Sequence, residues 1–125
     1  MTTIGVLGMG AMGSGIAGRL TRNGARVLTS LEGRSASTRK RADAIRAEDV
    51  SEAELIGESD MILSIIPPSS AVDTAQHFAG LIMASDKKPI FIDANAIAPQ
   101  TTKVIHEIFA SRGLAYGDAS IIGGP

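Results

Sequence analysis

The chain has 125 residues, 44% of them hydrophobic, with a formal net charge of −1, which is the size and apolar content of one domain able to bury its own core. Acids and bases are mixed along it, which excludes the basic face of a nucleic-acid binder and leaves a small molecule as the partner class. It has no cysteine, no signal-like start and no apolar run near the roughly 18 residues of a bilayer span, which excludes disulfides, thiolate metal sites and a membrane helix and fits a cytoplasmic setting.

Apolar runs of strand length alternate with segments of helical spacing. The runs predict strands at 3–8, 26–31, 48–50, 61–66, 90–93 and 114–118. A first helix over 11–23 carries Met12, Ile16, Ala17 and Leu20 at helical spacing and stops at Asn23-Gly24, a C-cap pair. A second begins near Ser35 and is rich in bases, and a short third covers Glu52 to Gly57. A fourth runs from Ala71 to Ala84 after Pro67-Pro68. A fifth opens at Pro99 and turns Val104, Ile105, Ile108 and Phe109 inward. The rhythm is βαβ, and it predicts an α/β Rossmann domain over 1–125: a doubly wound parallel sheet of order 3-2-1-4-5-6 with helices on both faces.

The stretch Gly8-Met9-Gly10-Ala11-Met12-Gly13 is G-x-G-x-x-G between the first strand and first helix. The first glycine permits a tight turn, the second lets a pyrophosphate approach the backbone, and the third lets helix and strand pack closely. The helix N-terminus, worth about half an elementary positive charge, then faces the phosphates. The motif alone also fits a purely structural turn or another nucleotide such as S-adenosylmethionine.

Four segments together resemble the NAD(P)-binding domain of the β-hydroxyacid dehydrogenases, the family of 6-phosphogluconate and 3-hydroxyisobutyrate dehydrogenases. They are Gly5-Val6-Leu7-Gly8-Met9-Gly10-Ala11-Met12-Gly13, Ile65-Ile66-Pro67, Phe91-Ile92-Asp93-Ala94-Asn95-Ala96-Ile97-Ala98-Pro99, and Asp118-Ala119-Ser120-Ile121-Ile122-Gly123-Gly124. The third is similar to D-x-S-T-x-x-P and the fourth to D-A-P-V-S-G-G. The resemblance implies hydride transfer between a nicotinamide and a β-hydroxyacid or similar small substrate. It implies that Ile66, Pro67 and Pro68 line the nicotinamide side, that Asn95 touches cofactor, and that Gly123 and Gly124 hold substrate; Ser120, at the family's proline position, is the candidate to supply the substrate-contacting hydroxyl that Ile122 lacks. Asn95-Ala96 replaces the family's Ser-Thr, and Ile122 replaces its substrate-contacting serine. The family's catalytic lysine sits in a K-x-x-N motif of a following helical domain, and none of Lys40, Lys87, Lys88 or Lys103 has that spacing. The expectation is a cofactor domain without its helical substrate domain, carrying no catalytic residue of its own, from a longer homodimeric parent. A non-catalytic nucleotide-sensing module stays open, as does an imine-reductase-like domain, a related architecture without the lysine.

For the choice of dinucleotide, Glu32 stands about 20 residues past the glycines, where a carboxylate pairs with the ribose of NAD. The following Gly33-Arg34-Ser35-Ala36-Ser37-Thr38-Arg39 resembles the family's N-R-[ST] signature for a 2′-phosphate, shifted by about two residues, and predicts NADP rather than NAD, with Arg34 and Ser35 as principal contacts and Thr38 beside them. His77 and His106 lie in helices without a second ligand at metal spacing, so no metal site is predicted. Glu58 and Asp60 read as turn or cap residues, and the bases from Arg34 to Arg46 read mainly as a solvated helix face.

Overall fold

A computed structural model describes residues 2–95 and 98–119. In chain order it runs β1 (Thr3–Leu7), α1 (Ala11–Arg22), β2 (Arg26–Thr29), α2 (Ala36–Ala44), β3 (Glu48–Asp49), α3 (Glu52–Glu58), β4 (Met61–Ser64), a 3-10 turn (Pro68–Ser70), α4 (Ala71–Ala84), β5 (Ile90–Asp93), α5 (Pro99–Ala110) and β6 (Tyr116–Asp118). The strands form one parallel sheet of order β3-β2-β1-β4-β5-β6, the predicted topology. The order reverses between β1 and β4, whose carboxyl ends therefore open a crevice with no crossover helix above it.

Two core clusters lie on opposite faces of the sheet, as the period-2 alternation of strand side chains requires. Ile4 and Val6 of β1 join Met9, Ala17, Val27, Leu31 and Ala42 beneath α1 and α2. Leu7 joins Leu55, Ile62, Phe78, Phe91 and Phe109 beneath α3, α4 and α5. Phe91 stacks on Phe109 at 4.7 Å, and Phe109 on Tyr116 at 5.4 Å, which extends the second cluster to the β6 edge.

The helix faces differ in detail from the predicted ones. In α1 the buried residues are Gly13, Ala17 and Gly18, while Met12 and Ile16 are only half-buried. Small side chains bring this helix close to β1, and its larger apolar residues flank the contact. In α5 Ile105 and Phe109 are buried, but Val104 is 49% exposed, because it stands about 100° around the helix from Ile105. The ends agree better. Asn23-Gly24 closes α1 with Gly24 at φ 91, Gly24 N–H donating to Thr21 O and Ala25 N–H to Leu20 O, the paired bonds of a Schellman motif.

Four strands stop short of their predicted ends, β3 by one residue at Asp49, and β6 begins at Tyr116 instead of 114. β1 ends at Leu7 because Gly8, at φ 92, already begins the turn. β2 ends at Thr29, beyond which the Leu31 N–H donates to a side chain, Asp49 Oδ1, at 2.9 Å. β4 ends at Ser64, although the Ile65 N–H still donates to Leu7 O at 2.9 Å.

Candidate functional site

At the carboxyl ends of β1 and β4 lies a cleft of about 700 Å³. Its floor is the glycine turn and the first turn of α1, from Gly8 to Gly13; one wall is Ile65 to Pro68, and Arg34 and Thr38 stand across from it. Ala94 and Asn95, at the end of β5, close the far side.

The three motif glycines do different things. A Cβ on Gly8 would lie 2.0 Å from the Ile65 carbonyl oxygen, and one on Gly13 would lie 1.8 Å from the Gly8 carbonyl oxygen. Both positions let main chains touch, which any side chain prevents. At Gly10 nothing lies within 4 Å of such a Cβ, so its missing side chain leaves open space in the cleft. Gly10 is also the N-cap of α1, makes no side-chain cap bond, and the first turn contains no acid. The amide donors of that turn are thus free of protein side-chain caps, and the helix dipole favours an anion there. Met9 lines the cleft yet is 3% exposed, so most of it is core.

Sequence reasoning brought Gly8, Met9, Gly10, Ala11, Met12, Gly13, Arg34, Thr38, Ile66, Pro67, Pro68 and Asn95 forward, and all of these line the cleft. Ser35 does not. It is the N-cap of α2, its Oγ accepting from the Thr38 N–H at 3.2 Å with Thr38 Oγ1 at 3.0 Å. Glu32 is exposed in the turn that Arg34 N–H closes by donating to Leu31 O; Gly33, at φ 76, gives that turn its shape, and Glu32 is not among the lining residues. Arg39 is held by the protein, its Nη2 donating to Leu31 O at 2.9 Å and its Nη1 3.5 Å from Asp49. Ser120, Gly123 and Gly124 lie outside the described residues.

The sequence reading named neither Ile65 nor Ala94 as a site residue, although both stand in the segments that carry the resemblance. It also missed a second hollow of about 260 Å³ beside Gly8, Arg34 and Ile66, lined in addition by Ser30, Thr74 and His77. His77 Nε2 is 2.8 Å from Glu52 Oε1. On α5, His106 packs edge-on against Tyr116.

Electrostatically the unusual groups stand beside the cleft, on β5 and β6. Asp93 is 1% exposed, and burial pushes its carboxyl up, with nearby Asp118 adding to the shift and the hydrogen bonds from Asn95 opposing it. Burial likewise pushes the Tyr116 phenol up, aided by Asp93 and Asp118. Elsewhere, Asp60 accepts the Thr3 N–H at 2.9 Å and Glu58 pairs with Arg26 at 2.9 Å, so the two carboxylates tie distant segments together instead of serving the local turn or cap expected of them. No helix among the described residues is long and apolar enough to cross a membrane.

A family model, the NAD binding domain of 6-phosphogluconate dehydrogenase, matches residues 3–125. The chain belongs to this family. It is accordingly a nicotinamide-cofactor-binding domain, and the open Gly10 position and uncapped α1 N-terminus fit a dinucleotide pyrophosphate. A 3-hydroxyisobutyrate dehydrogenase of Pseudomonas aeruginosa is 30% identical over 99% of the chain, which covers 42% of that protein. The structure of 3-hydroxyisobutyrate dehydrogenase from Mycobacterium tuberculosis with L-serine superposes with a TM-score of 0.79 at 25% identity, over 99% of the chain and 42% of its own. An imine reductase from Myxococcus stipitatus in complex with NADP+ shares the fold, with a TM-score of 0.81 at 16% identity over 98% of the chain and 42% of its own. The chain thus spans about two fifths of the length of these relatives.

Proposed function

We propose that this chain is the cofactor half of an NADP(H)-dependent dehydrogenase of the β-hydroxyacid type. A bound nicotinamide supplies the hydride acceptor or donor; what the chain's residues do is bind, orient and exclude water. The Gly8–Gly13 turn and the α1 N-terminus receive the pyrophosphate, and the apolar Ile65–Pro68 wall shields the nicotinamide half. Among the described lining residues the only one with a charged side chain is Arg34, which offers hydrogen-bond donors and no acceptor. The resembling family's catalytic lysine sits in a K-x-x-N motif that no lysine of this sequence matches, and on that reading these 125 residues bind cofactor without turning over a hydroxyacid.

The observation that carries the NADP assignment is the split between Arg34 and Glu32. Two residues apart across Gly33, Arg34 lines the cleft and Glu32 does not. A carboxylate there would repel a 2′-phosphate, whereas an arginine fork near the N-terminus of α2 attracts one. Thr38 joins Arg34 on the cleft side, and Ser35 supports it as the cap of α2. Calorimetry of NADP and NAD against the wild type and Arg34→Ala tests this. NADP is expected to bind at least about tenfold more tightly, an advantage of about 1.4 kcal/mol, and Arg34→Ala to erase most of it. Tighter NAD binding, or an unchanged ratio in the variant, moves the role to Glu32.

A further inference from the structure

The last residue pair of the β4–β5 ladder is Ser64 with Asp93, after which the Ala94 N–H still donates to the Ser64 carbonyl at 3.0 Å. The next donor on the β4 side, the Ile66 N–H, finds no backbone acceptor. It donates to a side chain, Asn95 Oδ1, at 2.6 Å. This is the last backbone donor before Pro67 and Pro68, neither of which has an N–H, so the cleft wall has no other amide by which to be tied down at that point. Because an N–H can only donate, the amide oxygen must face Ile66, which leaves Nδ2 to reach Ser64 Oγ at 3.3 Å. The Asn95 backbone is held in turn, its N–H donating to Oδ1 of the buried Asp93 at 2.9 Å. One carboxamide thus replaces a missing rung between the β4 and β5 loops.

We infer that Asn95 is a positioning residue that fixes the Ile66–Pro67 wall, and through it the nicotinamide half of the ligand, by committing its amide oxygen to Ile66. The inference rests on the reading of that wall given above. It also changes the role implied by family resemblance: the oxygen of Asn95 accepts from the protein and acts on the ligand through Ile66. Asp93 sets the turn that presents it.

Two measurements test this, amide hydrogen exchange at Ile66 in the ligand-free chain and affinities for NADPH and for 2′-phospho-ADP-ribose, a fragment without nicotinamide. Asn95→Leu keeps the side-chain volume and removes the acceptor; Asn95→Ser, which is too short to reach, is the alternative if the first does not fold. In either, Ile66 exchange is expected to accelerate at least about tenfold and NADPH affinity to fall about tenfold, as for loss of one hydrogen bond, with fragment affinity unchanged. The exchange variant Asp93→Asn/Asn95→Asp keeps both acceptor oxygens and one carboxylate, and it is expected to restore Ile66 protection. Unchanged Ile66 exchange overturns the inference, as does equal weakening of fragment and NADPH. If the wild type binds neither ligand, the cofactor reading of the cleft fails, while Ile66 exchange still decides whether the clamp exists.

Discussion

The Gly8 carbonyl oxygen occupies the place that a Cβ on Gly13 would need, 1.8 Å away, whereas a Cβ on Gly10 would meet nothing within 4 Å. One glycine of the motif is therefore required by the fold, while the other leaves open space in the cleft, the division of roles that the motif's order predicts. Gly13→Ala forces the start of α1 away from the turn and is expected to cost at least about 3 kcal/mol in urea unfolding. Gly10→Val adopts the same extended φ of −73 and is expected to cost no more than about 1 kcal/mol, the loss of a favoured N-cap. Its dinucleotide affinity is nonetheless expected to fall at least about a hundredfold, or about 2.8 kcal/mol. Equal affinity in Gly10→Val and wild type removes the pyrophosphate from the turn.

Arg46 ends α2 in the left-handed region, at φ 60, with its N–H donating to Asp43 O and the following Ala47 N–H to Ala42 O. This is the position where helices favour glycine, and a non-glycine residue there is strained by about 1–2 kcal/mol. Arg46 is exposed, so little packing is lost on removing it. Arg46→Gly is expected to stabilise the domain by about 0.5–1 kcal/mol after the extra freedom of glycine in the unfolded chain is subtracted. A lower urea midpoint than wild type contradicts this.

Asp60 and Thr3 bond twice at the start of the β1–β4 pairing. The Thr3 N–H donates to Asp60 Oδ2 at 2.9 Å, and the Asp60 N–H donates to Thr3 O at 2.8 Å. The first of these bonds, followed by Lys87, holds the Asp60 carboxyl below its ordinary value. A depressed folded pKa contributes stability above the unfolded value, about 3.9, and that contribution is lost as pH falls through the folded pKa. Asp60→Asn is therefore expected to melt below wild type at pH 7, with a gap that narrows below about pH 4 as the wild-type carboxylate is protonated. Thermal melts from pH 3 to pH 7 check this, and a gap independent of pH would show that the charge is not involved.

The periodicities that predict βαβ are local, since residues two apart on a strand or three to four apart on a helix share a face whatever the rest of the chain does. The sequence by itself therefore determined the strand and helix succession, the sheet order that follows from crossover handedness, the glycine turn and its cleft, and the Asn23-Gly24 stop. Tertiary structure decided what depends on distant segments meeting. Asn95 reaches Ile66 across 29 positions and Asp60 reaches Thr3 across 57, and no spacing rule links such pairs. The same holds at the β2–α2 turn, where Glu32, Arg34 and Ser35 are equally polar and nearly adjacent. Only the path of the backbone through Gly33 sends Arg34 into the cleft, leaves Glu32 out of its lining and turns Ser35 to capping α2, because a turn residue's direction is set by backbone dihedrals that side-chain chemistry does not encode.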